Sequence, residues 1–184
     1  MDLFGESVAD ARTADRAAAD YLSLATELAW QPEDVWLSVD LSHLGLDVVP
    51  QECAAHLAAI AAALPEGRRV QVGAEDHDRT DAILECILAV AADGFADRLG
   101  LPSRRICTGP ATTWIGWGAG LHIRLVKGAY VEPASRALPY GEPTDVAYLL
   151  LAHRLAEADA EFALATHDGV LREALLARSR NLVC

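Results

Sequence analysis

Two short stretches hold the residues most able to do chemistry. The first, IRLVKGAY at 123–130, ends an alternating apolar run in Arg124, Lys127, Gly128, Ala129 and Tyr130. The second, FALATHD at 162–168, ends a similar run in Thr166, His167 and Asp168. A guanidinium and an ammonium so close together suit an anionic, planar or phosphorylated ligand, because both donate charge-assisted hydrogen bonds to electron-rich atoms. The plainer reading is that Arg124 pairs with Glu75 or Asp76. The two cations together, followed by Gly-Ala-Tyr, favour ligand binding. A third stretch, GAEDHD at 73–78, supplies Glu75, Asp76, His77 and Asp78. With His167 these could ligate the metal of a barrel hydrolase. Arg124 and Lys127 in the same mouth would repel a divalent ion, so no metal is expected.

The elements that must position these groups are legible from periodicity. Apolar residues at helical spacing predict helices over 8–28, 50–64, 79–95, 144–158 and from 169 to 179. Alternation predicts strands over 35–41, 69–76, 121–130 and 161–168. Strands alternating with helices through short connections predict a parallel sheet with right-handed crossovers. One face of each strand is apolar, and the other carries Ser38, Asp40, Glu75, His122 and Arg124. Strands of a doubly wound sheet are usually apolar on both faces, so this pattern suits a barrel with a polar C-terminal mouth. There Glu75, Asp76, His77, Arg124, Lys127, Tyr130, His167 and Asp168 would meet. Only five or six strands can be counted, where a closed barrel takes about eight. The expected fold is α/β, an incomplete (β/α)8 barrel in a single domain over 1–184.

Composition narrows the partners. The chain has 184 residues, 52% hydrophobic and 23% charged, with a formal net charge of −12. That charge argues against nucleic acid, whose phosphates want a basic face, and weakly against an anionic membrane surface. The longest apolar runs are too short and Ala-rich to span a bilayer. Membrane contact is therefore peripheral at most. The four cysteines, Cys53, Cys86, Cys107 and Cys184, form no CxxC pair and read as free thiols. The N-terminus lacks a basic and an apolar signal region, so a cytoplasmic location is expected.

RLVKGAY followed by Glu132 resembles the signature of the proline dehydrogenases, flavin enzymes that oxidise L-proline. Other blocks resemble the family in its order: DLFGESV at 2–8 its first strand, LSVDLSHLGL at 37–46 its second, VQVGAEDHDRTD at 70–81 its third, FALATHD its sixth. The resemblance covers the chain apart from 102–120 and the last few residues. It implies a (β/α)8 barrel with FAD at the mouth and hydride transfer from proline to the flavin, giving 1-pyrroline-5-carboxylate. Electrons would pass on to a quinone or another acceptor. It implies that Arg124 and Lys127 contact the flavin and stabilise its reduced form, with Gly128 beside them. Ala129 and Tyr130 would lie beside flavin and substrate, and Thr166 and His167 would contact FAD. The catalytic set so implied is Arg124, Lys127 and Tyr130.

The chain also departs from that family. Asp40 stands where the family usually has a Lys that helps to bind the substrate carboxylate. Gly73 stands where it commonly has Asp, which implies loss of a substrate-side carboxylate. The family's last two strands, and the paired arginines that grip the proline carboxylate, are expected to be missing after Cys184. Residues 102–120 have no strand or helix period. Read in another frame, GC-rich codons for them permit LQAYLHRTRDDLDRLGRG, which resembles the family's fourth strand, so an out-of-frame segment is expected there. A competing reading is a non-catalytic remnant or interaction fragment of the family.

Overall fold

The structure is a computed structural model that describes residues 1–3, 5, 7–104, 120–128 and 138–177. Two compact units divide the chain, Met1–Leu101 and Pro102–Cys184.

The first unit opens with α1, Ala11–Glu27. Asp10 starts it by accepting the backbone N–H of Thr13, which would otherwise lack a partner in the first turn. Ala14, Ala17, Ala18, Tyr21 and Ala25 recur at three- and four-residue steps and form its buried face. Strand β1, Leu37–Val39, leads through a short loop to α2, Pro50–Ala63, whose Pro takes the first-turn position where no N–H is needed. Strand β2, Val70–Val72, is followed by α3, Thr80–Val90. A wider turn, Ala91–Phe95, then breaks the helix at Gly94, whose φ of 99° favours glycine. Strand β3 spans Leu99–Arg104, of which Leu99, Gly100 and Leu101 belong to this unit. β1 and β2 pair in parallel, Leu37 opposite Val70 and Val39 opposite Val72, and β2 pairs in parallel with β3 through Val70–Leu99 and Gln71–Gly100.

The second unit contains a βαβ arrangement. Strand β4 is His122–Val126, α4 is Glu142–Glu157, β5 is Phe162–Ala165 and α5 is Gly169–Leu176. β4 and β5 pair in parallel from Ile123–Phe162 to Val126–Ala165. Ile123 and Leu125 point to the helices and join Tyr148, Leu151, Phe162 and Leu171 in one apolar core. Tyr148 is fully buried, and its hydroxyl donates to the Leu125 carbonyl at 3.2 Å, so the ring's polar end is satisfied.

The α/β class and the parallel pairing agree with the sequence expectation. Most described elements are shorter than periodicity suggested, while α4 opens two residues earlier than expected, at Glu142. Two differences have physical reasons. Strand β3 was not expected, because Gly100, Pro102 and Ser103 erase the apolar alternation while Leu99 and Leu101 still fill the core. The strand expected at 2–8 is not formed among the described residues. Instead Met1 alone runs beside β1, its ammonium donating to the Trp36 carbonyl at 2.7 Å and its carbonyl accepting from Ser38 N–H at 2.8 Å. The atypical segment 102–120 lies outside the described residues from 105 to 119.

Candidate functional site

The second unit brings the two chemistry-bearing stretches together. Because β4 and β5 are parallel and adjacent, their C-terminal ends lie side by side, and Lys127 N–H donates to the Ala165 carbonyl at 3.1 Å. Lys127, Gly128, Thr166, His167 and Asp168 therefore share one rim. Arg124 lies on β4, on the face turned away from α4 and α5, and is exposed. Among the described residues no carboxylate pairs with it. The alternative partners read from the sequence are engaged elsewhere: Arg79 lies 3.8 Å from Glu75 and 3.5 Å from Asp76.

Lys127 is held firmly. Its ammonium donates to Asp168 Oδ2 at 2.8 Å and lies 2.7 Å from Asp145 Oδ1, and its side chain is only 11% exposed. It also sits 5.9 Å from the centre of the Tyr140 ring, within cation–π range. Burial disfavours its charged form, but the hydrogen bonds to Asp145 and Asp168 outweigh that, and its pKa is raised. The same bond from Lys127, with the Leu171 N–H, lowers the pKa of Asp168. Asp168 has a second duty. Its Oδ1 accepts from Val170 N–H at 3.0 Å and Leu171 N–H at 3.2 Å, capping α5. Thr166 hydroxyl oxygen accepts from Asp168 N–H at 3.0 Å and fixes that turn. One aspartate thus links a helix start to the ammonium at the end of the neighbouring strand.

Gly128 has φ of 96°, a conformation that a side chain would resist, so bare backbone follows Lys127. Ala129 and Tyr130 lie outside the described residues. Sequence reasoning missed Asp145 and Tyr140. Asp145 is in the first turn of α4, and the signal available was an acidic residue opening the crossover helix after the Lys-bearing strand.

The first unit has its own polar rim after β1 and β2. Glu75 Oε1 accepts from Ser42 N–H at 3.0 Å. Arg79 Nε donates to both Asp47 oxygens, at 3.1 and 2.8 Å, and its Nη2 donates to Ser7 Oγ at 3.2 Å. His77 lies 2.9 Å from Asp78. Among the described residues no three His, Cys, Asp or Glu side chains are placed to hold a metal ion. A Cβ built on Gly73 would collide with Asp40 Oδ1. Positions 40 and 73 are thus in direct contact: the Asp40 carboxylate occupies the space that a side chain at 73 would need.

No protein-family model matches the chain, and comparison with curated proteins finds no match. Solved structures do match. A single-residue mutant of proline utilization A from Bradyrhizobium japonicum superposes with a TM-score of 0.81 at 22% identity, covering 99% of this chain and 23% of that one. A second mutant of that protein gives 0.80 at 22%, with the same 99% and 23% coverage. A proline utilization A with proline bound in remote sites gives 0.80 at 22%, covering 96% of this chain and 22% of that one. The chain thus spans less than a quarter of the length of these neighbours. Its fold is proline dehydrogenase-like.

Proposed function

We propose that the chain is a proline dehydrogenase-like flavin oxidoreductase of proline catabolism, built as an incomplete (β/α)8 barrel. The observation that carries this reading is the register of β4 and β5, which sets the RLVKG and ATHD stretches on one rim. L-proline is the substrate, 1-pyrroline-5-carboxylate the product, and a quinone or another acceptor takes the electrons. The setting is cytoplasmic with at most peripheral membrane contact. Among the described residues no helix is long and apolar enough to cross a membrane.

The donor set fits FAD in kind. Arg124 offers an exposed guanidinium, His167 an exposed ring, Thr166 a hydroxyl, and Gly128 a backbone without a side chain in the way. When bound, FAD would supply the hydride-accepting centre. The chain's own groups divide the remaining work. Lys127 shares its charge with Asp145 and Asp168, so its role is to place an ammonium at a fixed point. Arg124 has no such compensation among the described residues. It carries the positive field that favours a ligand gaining negative charge.

Flavin retention tests the proposal. The purified chain is mixed with FAD, freed of excess, and its visible spectrum recorded. Retained bands of a protein-bound flavin, weakened in Arg124→Ala, support it. A colourless protein that is folded by circular dichroism would instead favour the remnant reading.

A further inference from the structure

Asp145 and Asp168 both face the Lys127 ammonium, yet they are not equivalent. Asp168 Oδ2 lies 2.8 Å away, and its other oxygen caps α5. Asp145 comes from the first turn of α4, and its Oδ1 lies 2.7 Å from the ammonium. That oxygen is buried and takes no hydrogen bond from a third group among the described residues. A buried carboxylate oxygen without its own donors is costly, and the facing charge must offset it. Helix capping accounts for Asp168 but not for Asp145, because α4 starts without a side-chain cap. A carboxylate in the first turn also complements the helix dipole, but the exposed Glu142 does that without burial. The Asp145 charge is therefore placed for Lys127.

We propose that Asp145 is a positioning residue of this rim, which holds the Lys127 ammonium at the end of β4 and cancels its charge, so that the positive field offered to the ligand comes from Arg124. This inference rests on the flavin reading above. One ammonium between two carboxylates leaves the cluster with one formal negative charge. A ligand that gains negative charge on reduction is then favoured by the Arg124 guanidinium and not by the Lys127 ammonium. Asp145→Asn keeps an oxygen able to accept from Lys127 but removes the compensating charge. The cluster becomes neutral, its negative field on the rim is lost, and the reduced ligand is stabilised relative to the oxidised one. Asp145→Glu keeps the charge and should restore the balance. Asp168 cannot be used in this way, because its substitution would also uncap α5.

The test reads the full chain without and with FAD. Without FAD, competitive acetylation by acetic anhydride across pH, followed by peptide mass spectrometry, gives the titration of Lys127. Burial lowers the Lys127 pKa, and the bonds to Asp145 and Asp168 more than offset it. Asp145→Asn should therefore move the half-point to lower pH, and Asp145→Glu should leave it near that of wild type. With FAD bound, reduction in equilibrium with a reference dye should place the midpoint potential of Asp145→Asn above that of wild type, with Asp145→Glu again close to wild type. The proposal is overturned if Asp145→Asn leaves the Lys127 titration unchanged, or if the titration moves while the potential stays or falls. If the wild-type chain retains no flavin, the flavin reading falls, and the acetylation profile alone decides whether Asp145 governs Lys127.

Discussion

The rims of the two units differ in how their charges are used. After β1 and β2, most polar groups are engaged by loop contacts: Glu75 holds Ser42, and Arg79 is occupied by Asp47, Ser7 and neighbouring carboxylates. After β4 and β5, one ammonium is fixed by two aspartates while Arg124 and His167 remain exposed. Strand-end polar residues thus fall into two kinds, those that tie loops down and those left able to meet a ligand. Residue type alone does not separate them, since both rims contain an Arg, a His and several carboxylates.

The largest expected effect comes from removing what holds the second rim in place. Leu125 is fully buried between Arg124 and Val126, so Leu125→Ala should cost about 2–5 kcal/mol in denaturant unfolding. It should weaken flavin retention without touching a polar group. A loss below about 0.5 kcal/mol would show that β4 is not anchored as described.

Next is Gly73→Asp in the first unit. Its side chain must displace the Asp40 carboxylate, at a cost of about 1–3 kcal/mol. Asp40→Gly in the same chain should recover most of it, and a double-mutant cycle reads the coupling. Additive losses would mean that positions 40 and 73 are independent.

pH separates the rims further. The Asp168 pKa is lowered from its ordinary 3.8, so its stabilisation is present above that value and is lost as pH falls through the folded value. The Lys127 pKa is raised from 10.5, so its contribution is complete below that value and is lost as pH rises through the folded one. Thermal melts across pH should therefore show an acid limb below about pH 4 and an alkaline limb above about pH 10. Lys127→Met should remove the alkaline limb and shrink the acid one. A melt profile unchanged by that substitution would separate Lys127 from Asp168.

The smallest effect belongs to Arg172→Ala. Its bond to Glu173 at 3.3 Å joins two exposed side chains, so the change should stay within about 0.5 kcal/mol and leave flavin retention intact. A larger loss would give α5 a role beyond the cap that Asp168 provides.

Much of this was legible beforehand. Alternation located β1, β2, β4 and β5, because each carries apolar residues toward its helices, and the parallel logic placed Lys127 near Asp168. What escaped was tertiary. Leu99 and Leu101 fill a strand that Gly100 and Pro102 disguise. Asp145 approaches Lys127 only because α4 returns past the end of β4. The closeness of Asp40 to Gly73 needs the register of β1 against β2, which no spacing along the chain reveals.

The most direct measurement of the central claim is anaerobic addition of L-proline to the FAD-loaded chain while the flavin absorption is followed. Bleaching by L-proline but not D-proline, much slower in Arg124→Ala, is the predicted result. A retained flavin that stays oxidised at high L-proline would contradict a proline-oxidising site on this rim.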